Sequence, residues 1–200
     1  MLHGETRGQW ELVTGPAESG KSIYSVLRIS ERYKAGFEAF SNGTALFGRL
    51  ASPTELLEVA DRIPRGASVL IEDANLAAAT KRSPSFDDDP VTSQAVSILT
   101  ELDCLVLLTT RVEQVMDIAD VFLDRIDEIV LPCIEFSSFN LQAVRIPKGH
   151  TKLSELPDLY RSAFMDQDVR THALETFDPQ SVRSAAMLTN SFNKDIIRLG

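Results

Sequence analysis

Runs of apolar residues alternate with helical spacing along most of the chain. Five short apolar runs are typical of strands, and the most continuous of them indicate strands buried on both faces of a sheet. The predicted strands are residues 10–14, 37–42, 67–71, 104–108 and 128–134. The predicted helices are residues 21–34, 52–63, 75–80, 91–102 and 112–126. Because strands alternate with helices, we expect an α/β fold with a mainly parallel sheet flanked by helices.

The pattern changes after the fifth predicted strand. Residues 140–146 alternate more regularly between apolar and polar positions, which predicts a strand antiparallel to 128–134. From Pro147 onward the pattern weakens to short helical stretches near 160–164 and 182–188. We therefore divide the 200 residues into a main domain, 1–147, and a small, mostly helical C-terminal appendage, 148–200, packed on the same domain.

A glycine-rich segment follows the first predicted strand. It reads Gly15-Pro16-Ala17-Glu18-Ser19-Gly20-Lys21-Ser22 and fits G-x-x-x-x-G-K-[ST] at every fixed position. Such a loop lets backbone N–H groups surround phosphate oxygens at a helix N-terminus, where the helix dipole favours negative charge. We expect these residues, with Ile23, to bind the phosphates of ATP. Lys21 would reach the β and γ phosphates, and the Ser22 hydroxyl would be a ligand of Mg²⁺.

Two acidic residues follow the apolar run 67–71. Glu72 and Asp73 stand at its C-terminal end, and in a parallel sheet that end faces the same crevice as the phosphate loop. One carboxylate could hold Mg²⁺ through water, while the other orients or deprotonates the attacking water. The alternative is a solvated turn after a strand.

These motifs together resemble a known family. A phosphate loop, a strand ending in two acids (the Walker A and Walker B motifs) and a later strand ending in Thr109-Thr110 look like the additional-strand P-loop ATPases. The pattern is most similar to the FtsK/HerA branch, which includes viral genome-packaging ATPases and Zot-like phage proteins, and it covers about residues 9–135. The resemblance implies a RecA-like P-loop NTPase sheet and ATP hydrolysis with Mg²⁺. It also implies a homo-oligomeric ring that translocates double-stranded DNA into a preformed capsid, with a capsid or portal-vertex protein as a further partner.

Some positions depart from the family pattern. The family usually has Asp then Glu, so Glu72 takes the magnesium role and Asp73 the base role, unless the two roles are exchanged. Arg111 stands where the family often has a Gln sensor. It either contacts the γ phosphate, in its own subunit or in a neighbour's, or forms a salt bridge that caps the strand end. A ring ATPase needs an arginine finger, for which Arg82 is the first candidate, Arg111 the second and Arg125 the third. The alternative for Arg82 is a solvated loop charge.

Charge restricts how the chain could contact DNA. With 20 basic and 29 acidic residues the net charge is −9, which argues against a broadly basic nucleic-acid surface. Contact with double-stranded DNA must therefore be local. The candidates are Arg145, Lys148, His150 and Lys152, with a plain solvated hairpin as the alternative.

Other features address compartment and competing functions. Cys104 and Cys133 fall in predicted strands, as expected of reduced thiols, and no apolar stretch is long enough for a membrane span. We expect a soluble cytoplasmic protein, located in the host cytoplasm or at the virion vertex if the protein is viral. Two other functions stay open: a nucleoside-type kinase, whose loop is similar, and a non-hydrolysing nucleotide switch or scaffold.

Overall fold

A computed structural model describes residues 8–41, 62–77, 90–165 and 174–198 of the chain. The strands are β1 (Gln9–Gly15), β2 (Ala39–Ser41), β3 (Ser68–Ile71), β4 (Leu105–Arg111), β5 (Glu128–Glu135), β6 (Asn140–Pro147) and β7 (Leu174–Thr176). The α-helices are α1 (Lys21–Lys34), α2 (Ala74–Ala77), α3 (Pro90–Glu101), α4 (Asp120–Leu123), α5 (Leu156–Phe164) and α6 (Pro179–Arg198). Short 3₁₀ helices span Val112–Asp117 and Leu153–Glu155. Most of the predicted helix 52–63 and the segment that carries Arg82 lie outside the described residues.

The strands form one sheet in the order β2-β3-β4-β1-β5-β6-β7. The first five in this order run parallel, and at one side β6 pairs antiparallel with β5 and β7 pairs antiparallel with β6. The mainly parallel α/β sheet is thus confirmed, as is the antiparallel pairing of β6 with β5. One strand, β4, separates β1 from β3. The end of β1, with the phosphate loop after it, therefore lies beside the end of β4, and the acids that follow β3 lie on the far side of β4.

Helices cover both faces of the sheet. Along β1 and β3, Leu12 and Val69 belong to one apolar cluster, while Val13 and Leu70 belong to the other. The first cluster is closed by α3, α4, α5 and the 3₁₀ helix Val112–Asp117, and the second by α1 and α6. Because successive strand residues point to opposite faces, a strand covered on both sides is apolar at most of its positions.

Two elements differ from the sequence prediction. The single helix predicted over 112–126 is wrong: a 3₁₀ helix and the single turn α4 are separated by extended backbone at Ile118 and Ala119. Val115, Ile118 and Phe122 are all buried, so packing onto the sheet wins over helical propensity. The edge strand β7 was not predicted, because three residues carry too little periodicity to detect. None of the described helices is long and apolar enough to cross a membrane.

Candidate active site

The glycine-rich segment forms a tight loop between β1 and α1. Glu18 and Gly20 have positive φ angles of 61° and 94°, which reverse the chain just before the helix. A Cβ atom on Gly20 would lie 3.0 Å from Leu141 and 3.1 Å from Ile134, so glycine is required both for its conformation and for its close approach to the β5–β6 hairpin. The helix begins at once, since the Tyr24 N–H donates to the Gly20 carbonyl at 2.8 Å. The amino end of α1 therefore faces into the loop.

The Lys21 side chain folds back over this loop. Its Nζ donates to the carbonyl oxygens of Gly15 at 3.1 Å and Pro16 at 2.6 Å. Burial lowers the pKa of Lys21, and the positive charge of Arg111 lowers it further, whereas the negative charge of Asp73 acts in the opposite direction. Arg111 of β4 and Asp73 after β3 are thus close enough to Lys21 to act on it electrostatically.

The acids stand where β3 ends. Glu72 is half-buried and Asp73 is exposed. The backbone of Asp73 adopts a φ of 48°, in the left-handed region that a non-glycine residue enters only at an energetic cost. Its N–H donates to Thr109 Oγ1 at 3.3 Å, which ties the acidic turn to the neighbouring strand β4. The turn carries Asp73 towards the edge of the sheet where the phosphate loop lies.

A buried chain of hydroxyl and amide groups supports this turn. Thr110 Oγ1 donates to Asn75 Oδ1 at 2.8 Å, and Thr14 Oγ1 donates to the Thr110 carbonyl at 3.2 Å. The sequence prediction did not include Asn75. The available signal was a polar residue within three positions of the acids, at the start of a short helix. Through these bonds β1, β4 and α2 are held in a fixed relation beneath the candidate site.

Arg111 occupies the end of β4. It is exposed and pairs in register with Gly15, the first residue of the phosphate loop. Within the described parts of the chain it forms no salt bridge, so the capping salt bridge considered for Arg111 has no support there. Its guanidinium is instead near enough to lower the pKa of Lys21.

The oxygen donors at this edge fit magnesium. Ser22 follows Lys21 at the start of α1, and Glu72 and Asp73 supply carboxylates. Among the described residues no three of His, Cys, Asp and Glu form a metal cluster. Mg²⁺ at phosphate sites needs only one or two protein carboxylates, because phosphate oxygens and waters complete its shell. Hydroxyl and carboxylate oxygens are the hard ligands that it prefers, so the donor set is suitable.

A cavity of about 520 Å³ opens beside the loop, on the side away from the acids. The loop residues from Glu18 to Ile23 form one wall, and Phe136 and Thr189 complete the lining. Phe136 belongs to the turn between β5 and β6, and Thr189 belongs to α6. The sequence pattern did not single out either residue, because nothing in the linear sequence places them near residues 15–23.

The residues predicted to contact DNA lie elsewhere. Arg145 points inward, and its guanidinium donates to Glu11 at 3.0 Å and to Glu128 at 2.9 Å, so it serves an internal ion-pair network. Lys148 Nζ donates to two main-chain carbonyls at the end of α4. His150 and Lys152 are exposed. Because β6 is antiparallel to β5, the loop 148–152 lies where β5 begins, whereas the phosphate loop lies where the parallel strands end.

The other arginine candidates are also separated from the loop. Arg125 is exposed and precedes Asp127, whose N–H donates to the Trp10 carbonyl near the beginning of β1. Arg125 therefore lies near the beginnings of the parallel strands, whereas Lys21 lies near their ends. Arg82, the first candidate for the arginine finger, lies outside the described residues, so its role stays a prediction.

Comparison with known proteins identifies the fold. No protein-family model matches the sequence, and no curated protein is similar to it in sequence. Among solved structures, the N-terminal domain of zonular occludens toxin from Neisseria meningitidis is similar with a TM-score of 0.57 and 9% identity over 86% of this chain and 94% of that one. The genome packaging NTPase B204 from Sulfolobus turreted icosahedral virus 2, in complex with AMPPCP, gives a TM-score of 0.52 and 11% identity over 86% of this chain and 97% of that one.

A further solved structure, an ATPase domain, is also similar, with a TM-score of 0.51 and 10% identity over 86% of this chain and 81% of that one. At such low identities the likeness is one of fold. The chain therefore has the fold of the P-loop NTPases.

Proposed function

We propose that this chain is an ATP-hydrolysing motor that translocates double-stranded DNA and packages a viral genome into a preformed capsid. The observation that carries the proposal is the meeting of the phosphate loop, the acidic turn after β3 and Arg111 at one edge of a sheet in which β4 separates β1 from β3. Hydrolysis of a nucleoside triphosphate requires this combination of phosphate binding, water activation and charge stabilisation. The protein would act in the host cytoplasm or at the virion vertex.

Phosphate binding would use the loop backbone and Lys21. The loop N–H groups and the amino end of α1 would bind the phosphate oxygens. Lys21 now donates to two loop carbonyls, and it would exchange them for oxygens of the β and γ phosphates. The Lys21 side chain already lies over the loop, so binding would change the partners of its Nζ.

Water activation would fall to the acidic turn. The Ser22 hydroxyl and Glu72 would hold Mg²⁺, which neutralises charge on the phosphate oxygens. Asp73 would orient the attacking water and accept its proton. The bond from the Asp73 N–H to Thr109 Oγ1 keeps this residue beside β4, where Arg111 would contact the γ phosphate in its own subunit.

The ring and its DNA contacts complete the proposal. A homo-oligomeric ring would place Arg82 of one subunit against the nucleotide of the next, with a capsid or portal-vertex protein as a further partner. His150, Lys152 and the exposed Lys148, whose Nζ also donates to two main-chain carbonyls, would contact DNA phosphates, and such contacts multiply around a ring. Arg145 is left out of this set because its guanidinium is bound internally.

The test is ATP hydrolysis by the full chain with and without double-stranded DNA. We expect the wild type to be stimulated by DNA and to form rings, and Lys21→Ala, Glu72→Ala and Asp73→Ala to lose most turnover. Lys34→Ala, a change of exposed lysine at the other end of α1, is the matched control and should leave the rate unchanged. A rate that is indifferent to DNA, together with an absence of rings, would refute the motor.

Mixing variant and wild-type subunits tests the arginine finger. If Arg82 acts on a neighbour's nucleotide, Arg82→Ala subunits should poison wild-type rings in proportion to their share. A solvated charge would have no such effect. Normal nucleotide binding with no turnover in either wild type or Asp73→Ala would instead favour the non-hydrolysing switch.

A further inference from the structure

The strand order sets the orientation in which a nucleotide would bind at the phosphate loop. Asp73 and Arg111 lie on the β3–β4 side of the phosphate loop, whereas β5 and β6 lie on the other side of β1. Under the proposed function, on which this inference rests, the γ phosphate must point towards Asp73 and Arg111. The opposite end of the nucleotide, which carries the base, must then extend towards the β5–β6 hairpin.

A cavity is present at that place. It has a volume of about 520 Å³ and lies between the phosphate loop, Phe136 and Thr189 of α6. Small-molecule sites in proteins typically measure about 300–1,000 Å³. The register Val13 with Val130 shows that β5 continues past the end of β1, so its last residues stand next to the loop. A Cβ atom on Gly20 would lie 3.1 Å from Ile134, so the end of β5 packs closely against the phosphate loop.

Side-chain hydrogen bonds within the turn that carries Phe136 favour its observed conformation. The Glu135 carboxylate accepts hydrogen bonds from Ser137 Oγ at 3.1 Å and Ser138 Oγ at 2.7 Å. Phe139, with a φ of 52°, turns back towards α6, where the Arg183 guanidinium lies 5.2 Å from its ring centroid. One aromatic ring of the turn is therefore anchored to the protein, while the other is left at the cavity.

Phe136 is 49% exposed and lines the cavity, so part of its ring is open to a ligand there. An aromatic ring on a rigid support is what base stacking requires, since every base presents a π face to it. The hydroxyl of Thr189 already donates to the Ala186 carbonyl at 2.8 Å. The aromatic face is thus the feature of this wall best suited to contact a base.

We propose that Phe136 is the platform on which the nucleotide base stacks, and that the cavity between Phe136, the phosphate loop and α6 is the nucleoside subsite. The phosphate loop and the Phe136 wall then divide recognition between them. The loop binds the triphosphate, and the aromatic ring binds the base through its face.

Calorimetric titration of the full chain with Mg-ATP, Mg-GTP and inorganic triphosphate tests this division. Phe136→Ala should weaken both ATP and GTP by a similar factor, at least about fivefold, because a stacked base contributes this much in alanine substitutions. Inorganic triphosphate, which has no base, should bind equally to wild type and variant. Phe136→Tyr should retain ATP affinity. The matched control is Met187→Ala, which removes a 67% exposed apolar side chain of α6 that does not line the cavity.

Other results would overturn the inference. Unchanged ATP affinity in Phe136→Ala would show that the base lies elsewhere, and so would a change of oligomeric state without a change of affinity. An equal loss for ATP and inorganic triphosphate would show that Phe136 only supports the loop. If the folded wild type bound neither ligand, the proposed function would fail, and this inference would fail with it. ATP binding without hydrolysis would leave the base platform intact while refuting the motor.

Discussion

Two groups of charged and polar residues in this chain have opposite surroundings. The inner cluster lies under α1 within the sheet and consists of Glu11, Tyr24, Arg28, Glu128 and Arg145. The edge group lies where the parallel strands end and consists of Lys21, Asp73 and Arg111. Both groups combine acids with bases. They differ in pairing: the charges of the inner cluster form ion pairs with one another, whereas those of the edge group do not in the described parts of the chain.

In the inner cluster each charge has a partner. Glu11 is 0% exposed, and its carboxylate accepts from Arg28 at 2.8 Å, Arg145 at 3.0 Å and the Tyr24 hydroxyl at 3.2 Å. Burial acts to lower the pKa of Arg28, but the charge of Glu11, the Tyr24 side chain and the hydrogen bond to Glu11 together outweigh it, so the net pKa is raised. These bonds join β1, α1 and β6, so the cluster is structural.

The edge group is more open to solvent than the inner cluster. Asp73 and Arg111 are exposed, and Lys21 is held by main-chain carbonyls that a phosphate could replace. Ionic residues in the middle of a sheet must pair or destabilise the fold, whereas residues at the strand ends can stay available. The comparison explains why Arg145, a basic residue of β6 near the loop 148–152, serves the fold.

The largest expected effect is on the inner cluster. Glu11→Ala would leave Arg28 and Arg145 buried without their shared carboxylate, which should lower the free energy of unfolding by about 3–5 kcal/mol. Urea denaturation measures this loss. A loss under about 1 kcal/mol would mean that the arginines find other partners and that the inner cluster does not stabilise the fold.

Next comes the edge group. Arg111→Ala should lower the kcat for ATP hydrolysis about 100-fold, as removal of one preorganised donor to a developing negative charge typically does. The free energy of unfolding should change by less than about 0.5 kcal/mol, because Arg111 is exposed. Steady-state kinetics and urea denaturation separate the two effects. Arg161→Ala, an exposed arginine of α5 paired with Asp158, is the matched control. A large loss of stability in Arg111→Ala would show that Arg111 supports the fold, as the inner cluster does.

A smaller effect should follow from Tyr24→Phe. Loss of the buried hydroxyl removes a bond to Glu11 and one from Arg145, so we expect a loss of about 1–2 kcal/mol at neutral pH. Burial, and then the charge of Glu11, raise the pKa of Tyr24 well above its ordinary value. The folded state therefore keeps the phenol neutral, and its stabilising contribution is complete below the ordinary pKa of about 10 and is lost as pH rises above it.

Unfolding measured between about pH 9 and pH 11 checks this sign. The free energy of unfolding of the wild type should fall more steeply with pH than that of Tyr24→Phe. Parallel curves would show that Tyr24 ionises as readily in the folded as in the unfolded chain, contrary to its burial.

The smallest effect should come from a charge pair that belongs to neither group. Arg65 donates to the Asp103 carboxylate, but the Arg65 side chain is 74% exposed. Arg65→Ala should change the free energy of unfolding by less than about 1 kcal/mol, and high salt should reduce even this difference. A loss comparable to that of Glu11→Ala would show that burial does not determine how much an ion pair stabilises this protein.

Much of the site could be predicted because its parts are local in sequence. Residues 15–22 form one loop, and Glu72-Asp73 follow one strand, so motif and strand pattern place them together. The helix α1 was predicted with its observed ends, since its start is set by the loop and its apolar stripe is regular. The prediction over 112–126 failed because the buried residues there impose extended backbone that no local pattern reveals.

By itself the sequence determined the α/β fold, the phosphate loop, the acidic pair and the position of Arg111, because each depends on neighbouring residues and on the shared edge of parallel strands. Only the tertiary structure decided which charges are available. Arg145 and Glu11 lie far apart in sequence and meet because β6 and β1 flank β5, and Phe136 reaches the loop because β5 extends past β1. Contacts between distant segments depend on register and burial, which a linear pattern does not contain.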